Sequence, residues 1–103
     1  MVSDDAGLQV WLETQVQAGK VLVVPYVKAA TETHGSYSML VTKTGPSGNS
    51  RISQQGRVDA AAAQPVALSR LTLDVRKEDE CRIELTLRQG EDLLGTYVFD
   101  CPR

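Results

Sequence analysis

Residues 64–101 read QPVALSRLTLDVRKEDECRIELTLRQGEDLLGTYVFDC, and three alternating apolar runs lie in them, at 68–75, 81–88 and 93–99. In the second run Ile83, Leu85 and Leu87 share one parity, while Arg82, Glu84, Thr86 and Arg88 share the other. A strand sends successive side chains to opposite faces, so this run is oily on one side and charged on the other. A helix would spread the same residues around its circumference. The third run follows Gln89-Gly90-Glu91-Asp92, where Gly supplies positive φ and Asp tolerates turn geometry. The pair is therefore expected to be an antiparallel hairpin.

Two cysteines, Cys81 and Cys101, bracket that hairpin. If Gln89 pairs with Leu93, Cys81 faces Cys101 directly, and opposed strand residues lie about 4.5–5.5 Å apart, within disulfide reach. A disulfide would imply an oxidising compartment. The alternative is two free thiols, one at each strand end. A turn one residue longer or shorter would break the match. Two Cys and one distant His do not complete a four-ligand zinc shell, and no cofactor is expected.

The rest of the chain continues the β pattern. At 103 residues and 11.2 kDa it has the size of one domain, expected over residues 8–101 after a disordered tail at 1–7. A chain this long buries roughly 65% of its unfolded surface. Earlier strands are expected at 8–17, 20–28, 36–44 and, weak and polar, at 50–58, the last at a sheet edge. Pro25 has no N–H for a ladder, so its strand should bulge there or lie at an edge. Residues 29–35 read as a polar connection, GPSGN at 45–49 as a loop, and the alanines of 60–63 as a crossover with at most a helical turn. Seven short strands without a helical period predict an all-β, immunoglobulin-like antiparallel sandwich. The interleaved Cys and Trp of antibody domains are absent, so only the architecture is expected.

Composition excludes several function classes. A net charge of −2 argues against a nucleic-acid partner. No apolar run nears the ~20 residues of a membrane helix, so no membrane partner is expected. The opening MVSDDAG has no signal-peptide character, although a mature form with Met1 in place of a removed signal would read the same. Nothing points to catalysis. His34, beside Gly35, reads as an exposed loop histidine; no Gly-x-Ser-x-Gly elbow is present, and GPSGN lacks a phosphate-cradle ending. The run Lys77-Glu78-Asp79-Glu80 reads as a solvated turn. The charged outward residues of the late strands, Arg70, Arg82, Glu84 and Arg88, are the candidate partner-binding set. They are either ordinary solubility charge, balanced by Asp74, Glu78 and Glu84, or a patch that steers an acidic or polar partner.

Gln64-Pro65, Leu68-Ser69-Arg70-Leu71, the Glu78-Asp79 turn, the alternating strand from Arg82 to Arg88 and the hairpin from Gln89 to Leu93 together resemble the end of the curli-system CsgC and CsgH family. The resemblance covers about a third of the chain well; the earlier strands match in length and pattern. It implies an immunoglobulin-like sandwich and a periplasmic, non-enzymatic inhibitor of amyloid assembly. The implied partner is the unfolded, amyloidogenic curli fibre subunit, contacted weakly and transiently by a monomer. CsgC-type members carry an early Cys-x-Cys pair. This chain has no Cys before Cys81, which carries over no redox role and favours the CsgH type. Two other readings stand beside this one: an adhesin or pilus-associated module acting by strand addition, and a thiol-disulfide enzyme. A twenty-residue Cys spacing on a hairpin is unlike the short Cys-x-x-Cys of such enzymes.

Overall fold

The computed structural model describes residues 7–46 and 48–101. The expected tail at 1–7 lies outside these except for Gly7, whose carbonyl accepts the N–H of Ala30 at 2.9 Å. Eight strands run in chain order: β1 Leu8–Gln17, β2 Lys20–Ala29, β3 Thr33–Gly45, β4 Gly48–Ala60, β5 Val66–Ala67, β6 Leu71–Leu73, β7 Glu80–Gln89 and β8 Asp92–Asp100. They form two antiparallel sheets, one ordered β1-β2 with β5 and β6 on the far side of β2, the other β4-β3-β7-β8. The fold is a β-sandwich, as the alternation predicts.

The inward parity of each strand supplies the core. Val21, Val23 and Val27 come from β2, Tyr37, Met39 and Val41 from β3, and Ile83, Leu85 and Leu87 from β7, all buried. Each such side chain contributes roughly 1.5–3 kcal/mol on leaving water. On the outer side of the first sheet Trp11 stacks on its cross-strand neighbour Tyr26, ring centroids 5.6 Å apart.

Three expectations are corrected. First, Pro25 neither bulges its strand nor lies at an edge: β2 is interior, and its register with β1 is unbroken. The carbonyl of Pro25 accepts from Leu68 N–H at 2.8 Å, so Pro25 turns its backbone away from β1. A residue's N–H and C=O face the same neighbour in an antiparallel ladder. The missing donor therefore falls where the neighbouring strand is interrupted between β5 and β6. The ladder there slips by one residue, from Tyr26↔Ala67 to Val23↔Leu71. The expected strand at 68–75 is thus shortened to Leu71–Leu73, and a separate two-residue strand, Val66–Ala67, precedes it, giving eight strands instead of seven.

Second, the loop expected at 45–49 is narrower, since Gly45, Gly48 and Asn49 belong to strands and β3 and β4 stay paired up to Gly45↔Gly48. The alanine stretch does make the expected crossover turn, with Gln64 N–H on the Ala61 carbonyl, as the chain passes between sheets. Third, the charge run at 77–80 is only partly solvated. Asp79 is buried, accepts from Arg76 N–H at 2.9 Å, and lies 3.9 Å from Lys43 Nζ. Gly45 sits so close to this carboxylate that any side chain there would collide with it.

Candidate partner-binding face

The hairpin β7–β8 forms as its alternation requires, with Ile83↔Phe99 and Leu85↔Tyr97 inward and Glu84↔Val98 and Arg82↔Asp100 outward. Its turn is tighter than expected: Gln89 pairs with Asp92, not Leu93. Between Arg88↔Leu93 and Leu87↔Gly95 the extra residue Leu94 makes a β-bulge. The bulge restores the register that the shorter turn would lose. Cys81 and Cys101 therefore meet, with Cα atoms 5.2 Å apart, and are joined by a disulfide.

The outer face of the second sheet can be read row by row from the pairing. One row runs Arg51–Thr42–Arg82 and another Arg57–Ser36–Arg88, across β4, β3 and β7. Gln55–Ser38–Thr86 and Ser53–Leu40–Glu84 lie between them. Strands about 4.8 Å apart and residues about 3.4 Å apart put the four arginines at the corners of a patch roughly 10 Å by 20 Å. A shallow groove lined by Ser36, Ser38, Gln55, Thr86 and Arg88 runs across it. Arg51, Arg57, Arg82 and Arg88 are all exposed.

Charge is not even across this face. Glu80, Glu84 and Asp100 all belong to β7 and β8, whereas β3 contributes only Ser, Thr and Leu outward between residues 36 and 44. On β4 the one outward carboxylate is Asp59, and it is already engaged. Its Oδ1 lies 2.8 Å from His34 Nδ1 and 3.4 Å from Arg57 Nη2. His34 Nε2 meets Glu32 Oε2 at 2.6 Å. The histidine expected in a loop thus sits in β3 between two carboxylates. The hydrogen bond to Asp59, then that to Glu32, raises its pKa above 6.5. The bond to His34, then that to Arg57, lowers the pKa of Asp59. The cluster clasps β4 to β3 at one end of the face.

Of the four sequence candidates, the structure brings Arg82, Glu84 and Arg88 onto this one face. Arg70 is exposed in the break between β5 and β6, on the other sheet. Sequence reasoning missed Arg51 and Arg57. Their shared parity, six residues apart on a polar strand, was the signal available. Among the described residues no cluster of three His, Cys, Asp or Glu is placed to hold a metal ion, and no helix is long and apolar enough to cross a membrane.

Comparison with known proteins follows the same fold. The chain is 27% identical over 85 residues to the curli assembly protein CsgC of Escherichia coli K12, covering 82% of this chain and 77% of that protein. It is 28% identical to the CsgC of Salmonella typhimurium, covering 82% and 79%. The solved structure of E. coli curli protein CsgC superposes with a TM-score of 0.78 at 25% identity, covering 89% of this chain and 97% of that one. The solution structure of R. palustris CsgH gives 0.71 at 29%, covering 90% and 91%. Identity is thus slightly higher to CsgH and superposition closer to CsgC. The family model for thin aggregative fimbriae synthesis proteins, Tafi-CsgC, matches residues 2–98, and the chain belongs to that family.

Proposed function

We propose that the chain acts in curli assembly as a non-enzymatic, chaperone-like inhibitor that keeps fibre subunits from polymerising prematurely in the periplasm. Its relatives named as curli assembly proteins support the assembly role. The observation that carries the inhibitory reading is the polar outer face cornered by Arg51, Arg57, Arg82 and Arg88. Amyloid grows by adding extended chains whose backbone groups all pair. A sandwich locked by its own core and disulfide cannot follow a subunit into the fibre, but it can hold one briefly against a polar face. Contact of that kind is weak and transient, suits a monomer, and raises the barrier to nucleation.

The test is dye-monitored polymerisation of a purified curli subunit with and without this chain. A lengthened lag at substoichiometric ratio is expected. Replacing Arg51, Arg57, Arg82 and Arg88 by Glu should shorten that lag while leaving the fold, because outward substitutions usually change stability by less than ~0.5 kcal/mol each. Arg70→Glu, on the other sheet, serves as the control for charge alone. The effect should fade with salt as the Debye length falls from about 10 Å at 0.1 M to about 3 Å at 1 M, each ionic strength compared with uninhibited fibre. An unchanged lag at equimolar chain would refute the reading. A stable stoichiometric complex would favour a structural, adhesin or pilus-associated module instead.

A further inference from the structure

The backbone of β4 carries information beyond its arginines. Cys101 N–H donates to the Cys81 carbonyl at 3.1 Å, so Cys81 turns its backbone toward β8. Alternation then turns Arg82 toward β3, where it faces Thr42; Lys43 turns toward β4, where it faces Ser50. Ser50 therefore bonds to β3, and its neighbour Arg51 points its N–H and C=O to the outside. Because β3 and β4 pair without a slip from Gly45↔Gly48 to Thr33↔Ala60, the same holds for Ser53, Gln55 and Arg57. The residues with outward backbone groups are thus the residues whose side chains stand on the arginine-cornered face.

Among the described residues this edge is also long and uninterrupted. Folded proteins blunt sheet edges with prolines, bulges or short strands. The β8 edge has the bulge at Leu94, and the edge opposite β1 is broken into a two-residue and a three-residue strand. β4 has thirteen residues, with neither proline nor bulge, and Arg51, Ser53, Gln55 and Arg57 are exposed. β1 is a second continuous edge. There, because Pro25 turns away from β1, the residues facing outward are Leu12 and Thr14 and their even-numbered neighbours. Their side chains point to the core side, with no cation among them.

We propose that β4 captures an extended partner segment as a fifth strand of the second sheet, antiparallel to it, with acidic residues six positions apart opposite Arg51 and Arg57. This deepens the function proposed above and rests on it for the identity of the partner. Four backbone residues, 51, 53, 55 and 57, hold the segment without regard to its sequence. The two guanidinium groups select acidic side chains in that register, each able to bind a carboxylate through two hydrogen bonds. Polar, uncharged Ser53 and Gln55 between them accept Gln, Asn, Ser or Thr without a desolvated mismatch.

The probe is a blocked nonapeptide, Thr-Glu-Thr-Gln-Thr-Gln-Thr-Glu-Thr, whose alternate residues match Arg57, Gln55, Ser53 and Arg51 in turn. Amide hydrogen exchange by NMR should slow at least tenfold at Arg51, Ser53, Gln55 and Arg57 when peptide saturates, and not at Leu12 or Thr14. The same peptide with Lys for Glu should bind at least tenfold more weakly. Gln55→Pro deletes one outward N–H without touching the β3 ladder, a substitution edge strands tolerate; it should abolish peptide binding. In the lag assay Gln55→Pro should lose inhibition, while Thr14→Pro, the equivalent change on β1, should keep it. Unchanged exchange at millimolar peptide, equal binding of the Lys peptide, protection at the β1 edge, or full inhibition by Gln55→Pro would each overturn the proposal. If the wild type itself leaves the lag unchanged, the inhibitor reading falls, and the peptide result still decides whether the edge captures strands.

Discussion

Reducing the Cys81–Cys101 disulfide tests the hairpin most directly. The link closes a loop with a sequence separation of 20 in the unfolded chain. The loop-entropy expression for that length gives about 11 cal/mol/K, hence about 3 kcal/mol at 25 °C. The native hairpin keeps its ends paired through Cys101 N–H and the Cys81 carbonyl, so the loss falls mainly on the unfolded state. Comparing oxidised and reduced wild type isolates the crosslink, because no atom of the core other than hydrogen changes. With a urea slope of about 1.5 kcal/mol/M, the midpoint should fall by about 2 M on reduction. With about 2.1 cal/mol/K of unfolding entropy per residue, Tm should fall by roughly 15 °C. Cys81→Ala with Cys101→Ala should remove the sensitivity to reductant. A reduced protein within about 1 kcal/mol of the oxidised one would refute the reasoning. A reduced protein that stays folded should still lengthen the fibre lag, since the thiols take no part in the proposed contact.

Further outcomes are expected at the hairpin and at His34. Deleting Leu94 removes the bulge residue but leaves Leu87 opposite Gly95, so oxidised protein should still form the disulfide and show no free thiol. Deleting Val98 instead moves Cys101 opposite Arg82 and turns Phe99 outward, so thiol titration should find two free thiols; a closed disulfide there would contradict the pairing. His34 should titrate above 6.5 by NMR, and Asp59→Asn, which removes the stronger of its two hydrogen-bonded carboxylates, should bring the midpoint back toward 6.5. A raised histidine contributes stability below its unfolded value that is lost as pH climbs through the folded one. The depressed Asp59 contributes above 3.8, lost as pH falls through its folded value. The clasp is therefore complete between about pH 4 and 6.5, and a midpoint at or below 6.5 would count against it.

The hairpin shows how much of this fold is legible in the residues, and where legibility ends. Parity alone assigns Ile83, Leu85 and Leu87 inward and Arg82, Glu84 and Arg88 outward, and the structure agrees. The pairing of Cys81 with Cys101 is also right, but through a turn one residue shorter than expected and a bulge at Leu94 that compensates. A bulge leaves almost no composition signal, so the two departures cannot be separated in the sequence. Arg70 went astray for a tertiary reason. Only the interruption opposite Pro25 in a different strand shows why the strand expected at 68–75 begins at Leu71 and leaves Arg70 outside it. His34 gains Asp59 from 25 residues along the chain, and Asp79 gains Arg76 N–H from a folded turn, and isolated spacing reveals neither.

An open edge that captures other chains must still refuse its own copy, and the arginines bear on that choice. In the antiparallel pairing of two β4 strands centred on Gln54, Arg51 of each copy would lie opposite Arg57 of the other. Like charges directly opposed destabilise a strand pair. Sliding by two residues would set Arg51 against Asp59, a carboxylate already held by His34 and Arg57. An incoming acidic strand meets none of these penalties. The charges that would recruit a partner are thus the same charges that blunt self-association. A β4 variant with both arginines replaced by neutral residues should lose its preference for acidic strands and its protection against self-pairing together.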